Sequence, residues 1–312
     1  GPDTYLATNF GPGQIGLANV NLPKWSLANT QIGAKFEGVT MGGLNFSLNA
    51  LHYRSQLPSL HGGKRATNSF TGQYQNAWPY LISFDMEFPR VNLLGGSMDF
   101  QSEALGAAFR FEGAMTWGEE FANTNRPELY SKNRVWRSVI GVDRPTFVSW
   151  INPNRTTLFS AQLFWQHIFD HERENGGVGE RGIPDFKDNF IGTLLMKGFL
   201  AGDRISPQLI IARDFRSRTH AIAPALEWST TDKLKFTFGA NFKGGSNGGN
   251  SFDDCRSCNP FAPYTAGTYP GDPMTAYSRG LSGMEPLGRF RAGPIGSAIR
   301  EDEIFLTMRY KF

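Results

Sequence analysis

The chain has 312 residues, a formal net charge of +3 and only 19% charged residues, with 36 Gly and 26 Phe. So small a charge, with no basic stripe, excludes a nucleic-acid surface, and no apolar run approaches the roughly 18–20 residues that a spanning helix requires. A mean hydropathy of −0.35 leaves a membrane β-barrel open, because its lipid-facing and lumen-facing residues alternate and average out.

The chain opens Gly1-Pro2 without a basic start or an apolar core followed by small residues, so no signal-peptide pattern is legible. An exported protein is expected to have lost its signal. Period-two alternation, the mark of a strand with one apolar face, begins with Ala28, Thr30, Ile32, Ala34 and Phe36. It returns in Leu44, Phe46, Leu48 and Ala50, and again from Leu105 to Trp117. Weaker alternation covers 79–100, 137–150, 157–169, 189–199, 205–214 and 220–229. Leu234, Phe236, Phe238, Ala240 and Phe242 repeat the strong form. Most of these segments are near the 9–11 residues that a tilted strand needs to cross a bilayer. The spacing predicts about eleven strands, with a possible twelfth inside residues 4–24.

The last strand is the most telling. Ile304, Leu306, Met308, Tyr310 and Phe312 alternate with Phe305, Thr307, Arg309 and Lys311. A terminal aromatic with another two residues before it resembles the strand by which bacterial outer-membrane barrels are recognised for insertion. Short turns are expected at 38–43, 101–104, 151–156, 200–204 and 230–233, and long loops at 55–78, 118–136, 170–188 and 244–302. The two classes alternate, apart from a short connection at 215–218, as they do between the two sides of an outer-membrane barrel. Trp78, Tyr80, Trp117, Trp136 and Trp150 fall where strands should meet the membrane interfaces.

Alternation assigns Lys35, Glu37, Arg110, Glu112, Lys197, Asp214, Glu227, Lys235, Lys243, Arg309 and Lys311 to the inward, lumen-lining face. Their cationic excess suggests a weak anion preference; the competing reading is that they pair and brace the wall. Asp143-Arg144-Pro145 interrupts its strand, and an inward bulge with a local ion pair is expected there. Cys255 and Cys258 lie in the longest loop, where export favours a small disulfide over free thiols or a metal. Asp253 and Asp254 beside them lack calcium-loop spacing. His167, Asp170, His171, Glu172 and Glu174 read as a polar loop, since two His four apart share a face only on a helix. No catalytic motif occurs. No catalytic residue, cofactor or metal is therefore assigned. The Arg residues 279, 289, 291 and 300 of the loop 244–302 suit a lumen filter or lipopolysaccharide phosphates.

Three stretches carry a family resemblance: Asn29-Thr-Gln-Ile-Gly-Ala-Lys-Phe-Glu-Gly38, Leu51-His-Tyr-Arg-Ser-Gln-Leu-Pro58 and Phe88-Pro-Arg-Val-Asn-Leu-Leu-Gly-Gly-Ser97. Gly141-Val-Asp-Arg-Pro-Thr146, Asn152-Pro-Asn-Arg155 and the aromatic run from Phe159 to Phe169 extend it. Over residues 25–170 and the C-terminus the chain resembles an uncharacterised domain-of-unknown-function family of proteobacterial outer-membrane β-barrels associated with RND-superfamily exporters. The resemblance implies a part in moving lipids or other hydrophobic compounds, alongside a periplasmic or inner-membrane transport partner. It transfers no catalytic or ligand residues, and its usual members are longer.

The expectation is thus a single domain over 1–312: all-β, a transmembrane antiparallel up-and-down barrel of about twelve strands, or the later part of a larger one. It would sit in the bacterial outer membrane among lipids and lipopolysaccharide, placed there by the barrel-assembly machinery. It would be no enzyme, but a porin-like channel or transport barrel for small solutes or hydrophobic compounds. The alternative is a structural barrel that sheathes or anchors a partner protein.

Overall fold

The computed structural model describes residues 15–65, 82–123, 125–126, 128, 130–176, 179–183, 185–245, 293–299 and 301–311. In chain order the strands are β1 (Ile15–Val20), β2 (Ile32–Val39), β3 (Asn45–Arg54), β4 (Ser59–Arg65), β5 (Ile82–Glu87), β6 (Arg90–Ser102), β7 (Ala107–Ala122) and β8 (Tyr130–Phe147). They continue as β9 (Thr156–Ile168), β10 (Arg173–Gly176), β11 (Gly179–Gly182), β12 (Asp188–Lys197), β13 (Ile205–Asp214), β14 (Thr219–Ser229), β15 (Leu234–Gly245) and β16 (Glu303–Tyr310). A short helix, α1 (Gly293–Ser297), precedes the last strand.

Eleven strands form one antiparallel meander in the order β16-β15-β14-β13-β12-β9-β8-β7-β6-β3-β2. β4 and β5 pair antiparallel, β1 adds to β5 in parallel, and β10 with β11 makes a hairpin. The eleven segments expected from periodicity are the strands of the main sheet. The segment 79–100 is an exception within its length: it divides at 88–89, where β5 leaves for the small sheet. Residues 4–24 supply no strand to the main sheet among the described residues, because β1 joins β5 instead.

Register explains why alternation was so legible. Phe100, Phe109, Val142, Ala161, Leu194, Ile211, Ile222 and Phe242 are cross-strand partners in one unbroken row from β6 to β15. One residue along each strand, the partners are Asp99, Arg110, Gly141, Gln162, Thr193, Ala212, Ala221 and Lys243. Successive side chains point to opposite faces, so the sheet has one apolar face and one mainly of polar and small residues.

The apolar face is the exposed one. Phe36 is 63% accessible, Ile304 82%, Leu306 62% and Met308 64%. The buried apolar residues are Val91, Ala107, Val135, Ile168 and Ile183, fewer than the buried polar ones among the described residues. In water, each Å² of such apolar surface costs about 25 cal/mol to leave wetted, so this distribution is the reverse of a water-soluble core.

Three expected features are corrected by pairing. The segment 118–136 is mostly strand, not loop: β7 runs to Ala122 and β8 starts at Tyr130. The segment 170–188 holds the β10–β11 hairpin. At Asp143-Arg144-Pro145 there is no bulge, since β8 keeps register with β9 from Val135 to Phe147. Pro145 is tolerated near the strand end, and Asp143 finds its cation across the strand rather than beside it.

Short connections lie at one end of the sheet and longer ones at the other. The exception is as read: 215–218 is a tight turn in which Asp214 Oδ1 accepts the N–H groups of Arg216 and Ser217, both at 3.0 Å. No helix among the described residues is long and apolar enough to cross a membrane.

Candidate functional site

The polar face carries the chemistry. A cavity of about 1510 Å³ lies on it, reaching from Lys35 on β2 across β3 and β6–β9 to Asn189 and Ile191 on β12. Leu60 and Met86 of the small sheet line it, as do Gly293 and Pro294 of α1.

The charges of the polar face are mostly neutralised by one another. Lys35 pairs with Glu37 two residues along β2, where both sit on one face. Arg110 Nη2 donates to Asp143 Oδ2 at 2.6 Å from the adjoining strand. Glu227 Oε2 accepts from Lys197 Nζ at 3.0 Å and from Lys235 Nζ at 3.3 Å, joining β12, β14 and β15. Lys243 Nζ donates to the Glu301 carbonyl at 2.6 Å. Arg309 stands opposite Lys235 in register, while Lys311 follows β16 and bonds through its backbone to Lys233. Glu112 stands apart, with no side-chain partner among the described residues. The same face also carries Glu119, Asp99 and Glu303, so the cationic excess read from alternation is offset.

Sequence reading missed the strongest pair. Arg137 donates to both carboxylate oxygens of Glu119, at 2.5 and 2.8 Å, and to Gln166 at 3.0 Å. Glu119 falls in the segment 118–136 that its polarity predicts to be loop, and its alternation is displaced by a bulge at Gly118. There φ is +84°, and a Cβ would stand 2.7 Å from the Arg90 carbonyl oxygen, so glycine is required. A lone Gly inside a strand pattern was the available signal.

At the long-loop end, the small sheet is tied to β7 and β8. His61 Nε2 lies 2.5 Å from Glu120 Oε2, its ring stacks on Tyr130 at 3.6 Å, and Gly62 N donates to the Glu128 carbonyl at 2.8 Å. Nearby, Glu172 accepts from Arg126 and from Asn123 Nδ2, the latter at 3.0 Å. Burial raises the Glu172 pKa, but those hydrogen bonds outweigh it and hold the carboxyl below its ordinary 4.5. His171 goes below its ordinary 6.5: burial disfavours its charge more than the hydrogen bond to the Asp185 carbonyl favours it. His167 is 2.7 Å from Asp188 and four residues from His171, yet no group of metal ligands forms among the described residues.

On β16, Ile304, Leu306, Met308 and Tyr310 all lie on the exposed apolar face. Phe312, Cys255, Cys258, Asp253, Asp254, Trp78, Tyr80 and Arg residues 279, 289, 291 and 300 lie outside the described residues.

No curated protein matches the chain. Residues 3–259, most of its length, match the family described as protein of unknown function (DUF1302), and the chain belongs to that family.

Proposed function

We propose that the chain is a β-barrel of the bacterial outer membrane, not an enzyme, that passes small solutes or hydrophobic compounds along its polar face. One observation carries this reading: the outward row from Phe100 to Phe242 is apolar and exposed, while the row beside it, from Asp99 to Lys243, is polar or small. A sheet so divided is stable only where lipid wets one face and water the other. Curling the eleven-stranded meander until its ends are covered would remove its exposed edges. Ile304, Leu306, Met308, Tyr310 and Phe312 would serve as the insertion signal read by the assembly machinery. The paired charges along the wall favour water-filled passage without strong ion selectivity.

Planar bilayers test the proposal. Purified, folded protein is expected to insert in steps of conductance, with similar permeability for small cations and anions. Bilayers that stay silent with protein shown to be folded in the same detergent would overturn the channel.

A further inference from the structure

We infer that the cavity holds a binding site for an organic cation with an apolar body, which gives the proposed passage a substrate class and rests on that reading. The site is built on one row of the polar face. Glu112, Val139, Phe164 and Ile191 are successive cross-strand partners on β7, β8, β9 and β12, and all four line the cavity.

The three apolar members lie between two polar rows. Arg137, Gln166 and Asn189 flank them on one side, Gly141, Gln162 and Thr193 on the other. On a face given mainly to polar and small residues, Phe164 remains 39% accessible, an aromatic ring that lines the cavity. Leu60 and Met86 reach the same space from the small sheet, which adds an apolar surface from a second element. Apolar lining with few placed polar groups is the usual make-up of a small-molecule site, and this volume exceeds the roughly 300–1,000 Å³ such sites need.

The head group follows from charge. Every cation beside this row is engaged: Arg137 by Glu119 and Gln166, Arg110 by Asp143 and Lys35 by Glu37. An anionic ligand would have to break one of these pairs. Glu112, at the end of the row, has no partner among the described residues and is free to accept from a cation. Two strand spacings, about 10 Å, separate its backbone from that of Phe164. An ammonium at Glu112 can therefore leave its apolar body on Val139, Phe164 and Ile191.

Two probes with one ring system and opposite heads test the site: 1-naphthylmethylammonium and 1-naphthoate. Their binding is measured by equilibrium dialysis against the full chain in phosphatidylcholine nanodiscs, with empty nanodiscs as background. Saturable binding of the ammonium at least tenfold tighter than the carboxylate is expected. Glu112→Gln should erase that preference while retaining the shared ring affinity, and Phe164→Ser should weaken both probes about tenfold. Ile191→Thr, a milder change on the same row, should weaken both in the same sense. Equal affinity for the two heads, or a Phe164→Ser variant that binds as the parent does, overturns the site. If the protein conducts in planar bilayers and shows neither binding in nanodiscs, the site alone fails; if it does not enter lipid at all, the membrane reading fails with it.

Discussion

At the scale of residues, the charges of the polar face act chiefly as cross-links. Glu227 is the clearest case, since its single Oε2 oxygen holds lysines from two neighbouring strands. Its side chain is about one quarter exposed, so the bridge is partly screened, and removing one member leaves two cations facing each other. Glu227→Gln is expected to cost about 1–2 kcal/mol, read as a lower urea midpoint for the protein folded into liposomes. If the proposed channel forms, the same variant should shift its reversal potential toward anions, because Lys197 and Lys235 are released. An unchanged midpoint together with an unchanged potential would mean that the bridge neither braces nor tunes the wall. Alternation alone placed Glu227, Lys197 and Lys235 on one face, but their partnership depends on the stagger between strands. That stagger is set by turn lengths and bulges, which a period of two does not report.

At the scale of elements, strand existence was legible and strand ends were not. β7 and β8 run on past the segment that alternates because Gly118 shifts the phase and polar residues near the rim blur the contrast between faces. The division of 79–100 at 88–89 follows Pro89, which cannot donate to a ladder, yet nothing local says that β5 then pairs with β1 rather than with β7. Glycine on the polar face has a packing role that the sequence also conceals. Gly239 pairs with Phe305 across β15 and β16, and the Phe305 ring occupies the space where a Cβ at 239 would stand. Gly239→Val should therefore displace the ring and destabilise the pairing of the last two strands by about 1–3 kcal/mol, seen as faster amide exchange over 303–310 than over β13.

The rim makes an element-scale prediction about pH. Glu172 has its folded pKa depressed by Arg126 and Asn123 against the opposing effect of burial, so its contribution is present above the ordinary carboxylate range. That contribution is lost as pH falls through the lowered folded value. His171 is a base with a depressed folded pKa, chiefly from burial. It favours the folded rim above its ordinary 6.5 and opposes it as pH falls and the ring must charge. Arg173 and Lys187 disfavour that charge, while Asp188 favours it. Both groups thus act in one direction: acid loosens the rim. Amide exchange across 171–176 is expected to accelerate between pH 7 and pH 4 (both about) while the β13–β14 ladder stays protected. Equal acceleration in both would point to global unfolding instead.

At the scale of the whole molecule, the question is which solvent meets which face, and tryptophan fluorescence can answer it. Trp165 and Trp228 both lie on the exposed apolar face, at 37% and 45% accessibility. Trp165 stacks on Phe190 toward the long-loop end, whereas Trp228 pairs with Ile205 beside the short turns. Ile222 sits between those levels, in the unbroken apolar row. From Ile222 to Trp228 the strand advances about 20 Å, or about 14 Å of depth at a tilt near 45°. That is close to half a hydrocarbon core of about 30 Å, so Ile222 should lie near the midplane and Trp228 near an interface. In single-tryptophan variants, Trp228 and Trp165 are expected to be quenched best by lipids brominated near the acyl carbonyl. A tryptophan introduced by Ile222→Trp should be quenched best by bromines near the acyl terminus. Trp150, expected from the sequence at an interface, lies instead in the turn after β8 and is 85% accessible, so it should respond to aqueous acrylamide and to neither bromine. If aqueous quencher reaches Trp228 and Ile222→Trp as readily as Trp150, the exposed apolar face does not meet lipid, and the rows that define both faces need another explanation.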